Sequence, residues 1–186
     1  MKDKKRCSWC TTDALYIEYH DKEWGQPIKD DRRLFEMLVL ESFQAGLSWI
    51  TILKKRENFR NAFDDFDYEK IANYDSKKVE ELMLDTGIVR NLRKIKATIK
   101  NANAFIAIRT SHGSFSNYIW SFVHHRPIIN HYTEPKEIPV KTTISEAMSK
   151  SLKQNGFSFM GPVTCYAYMQ ATGMVNDHTL DCFIRN

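Results

Sequence analysis

The chain has 186 residues, of which 42% are hydrophobic and 27% charged, with a formal net charge of +4. That length suffices for one substantial core, or two small lobes sharing one, and the composition is ordinary for a soluble globular protein. No apolar run is long enough to span a membrane. No unbroken apolar stretch follows the basic start as a secretion signal requires, and four cysteines are too few for a disulfide framework in a chain of this size. The expectation is a protein without a membrane partner, cytoplasmic, whose cysteines bind metal or are buried. The mild positive charge is compatible with nucleic acid without demonstrating it.

The hydrophobic spacing is helical almost throughout, which predicts an all-α fold. Asp30-Asp31 can cap a helix with Leu34, Phe35, Leu38 and Ser42 on its inner face, ending near Ala45-Gly46. A second helix starts at Ser48, carries Ile50, Leu53 and Phe59, and gives way to an acidic turn over Phe63–Asp67. Asp75 caps a short helix that stops at Gly87, and a long helix follows with Ile95, Ile99, Ala102 and Ile106 on one face. Another runs over Phe115–Val123. Residues His124–Lys141 hold three prolines and read as a structured loop. Thr143-Ile-Ser-Glu146 then matches a capping box. The helix it opens ends at Asn155-Gly156, and Gly161-Pro162 starts the next, with proline in the first turn. That helix stops at Gly173, and His178–Arg185 forms a last short one.

The stretch from Gly156 to Pro162 is therefore a tight helical hairpin. Its first glycine ends a helix, and Gly161 lets another backbone come close. Free N–H groups at the following helix start suit a phosphate. Phe157 and Phe159, or Met160, pin the hairpin to the core.

Cys7 and His20 lie near one end of the chain, His178 and Cys182 near the other. On a helix, His178 and Cys182 face the same side at i, i+4. If the two pairs converge they make a complete tetrahedral zinc shell with no open position, a structural clasp and not a catalytic metal. Cys10 forms a Cys-x-x-Cys pair with Cys7 and competes for the place of ligand.

Phe159-Met-Gly161-Pro-Val-Thr-Cys-Tyr-Ala167 looks like the helix-hairpin-helix of base-excision glycosylases, and Gly87-Ile-Val-Arg-Asn-Leu-Arg-Lys-Ile95 is similar to a second segment of that superfamily. Further stretches extend the likeness: Arg6-Cys7-x-Trp9, Leu15-Tyr-Ile-x-Tyr-His-Asp-x-Glu-Trp-Gly25, Gln44-Ala-Gly-Leu-Ser-Trp-Ile50, Lys54-Lys-Arg-Glu-Asn58, Trp120-Ser-Phe-Val123 and Val175-Asn-Asp-His178. From Arg6 to Cys182 the chain resembles the bacterial, Tag-type 3-methyladenine DNA glycosylases. The resemblance implies a bilobed fold: a helical lobe over 31–172 with the hairpin, and a zinc-tied lobe of 1–30 with 173–186. It implies one structural zinc on Cys7, His20, His178 and Cys182, and a monomer that meets alkylated double-stranded DNA, in a bacterium at the nucleoid. The reaction implied is hydrolysis of an N-glycosidic bond, with release of 3-methyladenine.

A damaged base must leave the stack to be read, and a pocket for it needs flat rings and a polar group. Trp9, Tyr16, Tyr19, Trp24 and Trp49 supply rings. Glu41, set among Val39, Leu40 and Phe43, is a buried carboxylate that needs a partner. The resemblance selects Glu41 for recognition and charge stabilisation, Tyr19 and Trp49 for stacking, and Tyr16 and Trp9 beside them. Aligning His178 puts Asn176 where many relatives in the superfamily carry a catalytic Asp, with Asp177 one residue off. The usual acid is absent, in keeping with a monofunctional enzyme whose cationic leaving group needs little activation. Candidate DNA contacts are the Gly161 backbone, Gly46 with Leu47 as a wedge, and Lys54, Lys55, Arg90, Arg93 and Lys94. The alternatives are a zinc-stapled damage-binding module without excision and a metal-dependent hydrolase, which would need an open zinc position.

Overall fold

Why the chain folds around one particular helix is plain from its burial. In the computed structural model, which describes residues 4–10 and 12–185, helix α2 (Asp31–Gln44) has every side chain from Leu34 to Phe43 buried. A helix covered on all sides must lie in the middle of its domain. Asp30 caps it, accepting from Arg33 N at 2.9 Å. At its other end the Lys94 ammonium donates to the carbonyls of Phe43 and Ala45 at 2.7 and 2.8 Å, a cation placed on the negative end of the helix. Lys94 is thus buried structural machinery and not the DNA contact expected of it.

Against α2 pack α3 (Trp49–Ala62), α6 (Leu92–His112), α7 (Phe115–Ser121) and α9 (Pro162–Ala171); α1 (Ala14–Lys22) packs on α3, α4 (Tyr68–Ala72) and α5 (Ser76–Leu84) on α6, and α8 (Thr143–Gln154) on α9. The acidic turn before α4 is a short 3-10 segment, Asp64–Phe66, and α4 itself escapes a periodicity reading because it is barely one turn long. On α6 the buried face is Ile95, Thr98, Ala102, Phe105 and Ile108; Ile99 and Ile106 sit only at its margin. The capping box lies one residue earlier than predicted. Thr142 and Ser145 exchange side-chain and backbone bonds at 3.2 and 2.9 Å, and Glu146 pairs instead with Lys141. In the hairpin between α8 and α9, Phe157 and Met160 are buried, whereas Phe159 has a left-handed backbone (φ 59°) and is 36% exposed.

Two departures from an all-α reading matter for the site. Strand β1 (Ile128–Ile129) pairs in parallel with β2 (Val175–Asn176), Ile128 opposite Val175, and ties the proline-rich loop to the segment after α9. Beyond β2 no helix forms: His178 lies in irregular backbone, Cys182 N donates to Thr179 O at 2.9 Å, and only Phe183–Arg185 is helical, as a 3-10 turn. Of the predicted terminal lobe, residues 1–3, 11 and 186 lie outside the described residues.

The segment between α1 and α2 docks on the end of α9. Gly25 N donates to Gln170 O and Ile28 N to Thr172 O, both at 3.0 Å, and Trp120 Nε1 holds Ile28 O at 2.8 Å. The approach is so close that a Cβ on Gly173 (φ 68°) would stand 2.3 Å from the backbone carbon of Gln26. Gly161, by contrast, has φ −71° and open space around it. Gly173→Ala is therefore expected to cost more than about 2 kcal/mol in urea unfolding, and Gly161→Ala less than about 0.5 kcal/mol.

Candidate ligand pocket and metal centre

Buried acids on α2 meet two different fates. Glu36 is paired with Arg56 at 2.6 Å and Arg60 at 2.8 Å. Glu41, five residues along and 4% exposed, has an Oε2 with no hydrogen-bond partner. Burial pushes its carboxyl from 4.5 up to about 8. Among the described residues nothing serves as the partner that a buried Glu41 is expected to need.

Glu41 opens into a cavity of about 380 Å³. Its walls are Trp9, Tyr16, Tyr19, Trp24 and Trp49, with Gln44 from the end of α2, Pro135, Ile138, Pro139 and Val140 from the proline-rich loop, and Val163, Tyr166, Ala167 and Gln170 from α9. Two more buried side-chain atoms without partners, Trp9 Nε1 and Trp49 Nε1, belong to the same wall. A buried polar atom left unpaired is costly, so three in one cavity mark a place where a ligand completes the bonding. They offer two donors and one acceptor.

Tyr16 and Tyr19 reach the cavity from one turn of α1, which Asp13 caps. Tyr19 and Trp49 pack on one another with centroids 5.3 Å apart at 51°. A ring slid between them would need about 7 Å, two aromatic contacts of about 3.5 Å, so the pair leaves no room for a third ring between its members. Trp9 leans on Tyr16 at 5.1 Å and on Trp24 at 4.9 Å. The loop and α9 residues were missed in the sequence because nothing local aims them; the strand pair and the hairpin do that through the fold.

Immediately behind Trp9 and Trp24 sits the second centre. Ligand atoms of Cys7, His20, His178 and Cys182 all lie within 4.8 Å of one another, and all four residues are buried. Cys7 Sγ is 3.6 Å from His178 Nδ1; Cys182 Sγ is 3.5 Å from both His178 Nδ1 and His20 Nε2. A tetrahedron with bonds of about 2.3 Å to sulfur and 2.0 Å to nitrogen has S···N edges of about 3.5 Å, so the residues fit such an ion. The remaining ring nitrogens are engaged: His20 Nδ1 with Asp21 Oδ1 at 2.8 Å, His178 Nε2 with Trp24 O at 3.0 Å. Those contacts orient metal-binding imidazoles. Burial raises the Cys7 thiol and lowers the His178 imidazole to about 4, so thiolates there need a cation beside them. Cys10 is outside the group, its Sγ turned to Tyr16 O at 3.8 Å.

The other sequence candidates are dispersed. Gly46 (φ 87°) and Leu47, 40% exposed, form the turn after α2, at the foot of Trp49. Lys54 pairs with Asp13 at 2.7 Å, and Lys55 donates to Thr86 O and Gly87 O at 3.1 Å. Arg90 and Arg93 are exposed. Asp177 is fully buried and does not line the cavity, while Asn176 Oδ1 accepts from His178 N at 3.2 Å.

Fold and site together define a helical protein that takes a flat ring with a polar edge out of water, beside a centre suited to a metal. A family model for methyladenine glycosylases matches residues 9–185. The chain is 49% identical to the DNA-3-methyladenine glycosylase of Haemophilus influenzae over 95% of this chain and 96% of that one. It is 49% identical to DNA-3-methyladenine glycosylase 1 of Escherichia coli over 96% and 95%. A solved structure of a tyrosine-to-phenylalanine variant of 3-methyladenine DNA glycosylase I in complex with 3-methyladenine superposes with a TM-score of 0.94, at 38% identity and 97% coverage of both chains. The chain belongs to the methyladenine glycosylase family.

Because the folded protein holds the Glu41 proton more tightly than the unfolded chain does, this group's contribution is fully present below about pH 4.5 and is lost as pH rises to about 8. Glu41→Gln should therefore gain stability over the native protein between pH 5 and 8, by a few kcal/mol on the order given by linkage. Urea unfolding of both proteins across that range reads the difference.

Proposed function

We propose that this protein is a monofunctional DNA glycosylase: it extrudes 3-methyladenine from alkylated double-stranded DNA and hydrolyses its N-glycosidic bond, leaving an abasic site. The observation that carries this is the unpartnered Glu41 carboxyl in an aromatic cavity with two unpartnered indole N–H groups. Alkylation at N3 makes adenine a cation, which departs as a neutral base. The developing sugar oxocarbenium is trapped by water, so the protein's tasks are extrusion, exclusion of water and charge stabilisation. Glu41 receives the exocyclic amino group and stabilises positive charge. Tyr19 and Trp49 form the stacking surface, with Tyr16 and Trp9 beside it. Leu47, exposed on the Gly46 turn, fills the space the base vacates, and the open Gly161 backbone at the start of α9 takes a phosphate in the manner of a helix-hairpin-helix.

In the cavity before DNA binds, Glu41 is largely protonated at neutral pH, and a cationic base favours its ionised form. Since kcat/KM reports the free enzyme, it should rise with pH up to about 8, roughly tenfold per unit below that. Glu41→Gln should lose about a hundredfold in single-turnover excision and lose the pH dependence as well. Methylated DNA, with release of free base as readout, tests both. An unchanged rate in the variant removes Glu41 from the mechanism.

We also read Cys7, His20, His178 and Cys182 as ligands of one structural zinc. It ties residues 1–30 and 173–186 into a lobe against the helical body of 31–172. When bound it supplies a crosslink and neutralises two thiolates; no step of the reaction passes through it. Elemental analysis should give one zinc per chain. Cys182→Ser should lower both zinc content and Tm, by several degrees or more. Its activity should fall in step with the folded fraction and not beyond it.

A further inference from the structure

Asp177 is an acid that the proposed reaction does not use. It is fully buried, and three donors converge on it: Asn130 Nδ2 at 2.7 Å on Oδ1, with Tyr166 OH at 2.7 Å and Gln170 Nε2 at 2.8 Å on Oδ2. Two of those donors, Tyr166 and Gln170, line the cavity that holds Glu41. A carboxylate offers only acceptors, so the end of the Gln170 amide that meets it must be the nitrogen. The amide cannot flip without setting oxygen against oxygen. Its Oε1 consequently faces away from Asp177, and no described residue donates to it.

We infer that Gln170 is a specificity-determining residue: Asp177, as a positioning residue, locks its amide so that Oε1 is presented to the cavity as an acceptor for the 6-amino group of an adenine-type base. This rests on the base-excision reading of the cavity. With Glu41 it gives the pocket two acceptors against the purine edge. A 6-aminopurine brings N–H groups to such an edge, whereas a 6-oxopurine brings another acceptor there. A site built to accept hydrogen bonds discriminates strongly, because the wrong base leaves its buried oxygens unpaired and opposed. Tyr166 contributes through the same anchor, its hydroxyl committed to Asp177, so it presents its ring and not a donor.

The test uses the zinc-loaded full chain and two free bases, 3-methyladenine and its 6-oxo counterpart 3-methylhypoxanthine, titrated by quenching of the cavity tryptophans. The native protein should prefer the amino base. Gln170→Met, similar in volume without an acceptor, should weaken 3-methyladenine about tenfold and leave the oxo base within about twofold, the scale of one lost buried hydrogen bond. Gln170→Ala reads the same contrast should the methionine variant not fold. Equal weakening of both bases, or an unchanged preference, overturns the inference. A native protein that binds neither base and releases none from methylated DNA defeats the cavity reading itself, and that outcome is recognised in the native protein before any variant is made.

Discussion

An ionisable group sealed from water without a counter-charge sets the terms for this molecule. Glu36 and Glu41 lie on the same central helix at nearly the same depth, yet one is held by two guanidinium groups and the other faces a cavity walled by aromatic rings. Pairing makes Glu36 part of the scaffold. Leaving Glu41 unpaired makes it a liability that stability elsewhere must offset, and a receptor for whatever brings an N–H or a positive charge. The burial of α2 on every side is what makes that arrangement possible, since a less enclosed helix would let water reach the carboxyl.

The cavity has no single owner in the sequence. Its rings come from the arm before α1, from α1 itself, from the segment that follows it and from the start of α3; its far wall comes from the proline-rich loop and α9. Three devices bring these together: the Cys/His quartet behind Trp9 and Trp24, the close crossing at Gly173, and the parallel strand pair that fixes the loop against the end of the chain. His178 packs its ring on Trp24 at 4.6 Å, and His20 packs on Trp9 at 5.2 Å. The centre and the cavity thus share a wall.

Much of this was legible in the sequence, for definite reasons. Helices α2, α3, α5 and α6 announce themselves by caps and by apolar spacing, and the quartet by ligand chemistry. Glu41 stood out as an acid in an apolar run. The proline-rich wall did not, because its placement depends on a two-residue strand pair whose partner lies far along the chain. His178 and Cys182 come together by a turn and not by a helix, so the right pairing followed from the wrong local geometry. Lys94 reads as a surface cation until its two carbonyl partners are seen. In each case the deciding contact is distant in sequence, where periodicity carries no information.

The quartet joins residues 171 positions apart, Cys7 to His178. During synthesis at 5–20 residues per second, Cys7 and His20 wait roughly ten to thirty seconds for their partners. Closing so long a loop costs entropy that is recovered only when the last of the four side chains arrives. The helical body can fold in that interval, but Trp24 lacks the His178 ring it packs on until that histidine is made. A nascent or truncated chain that lacks His178 therefore has no finished receptor for a base.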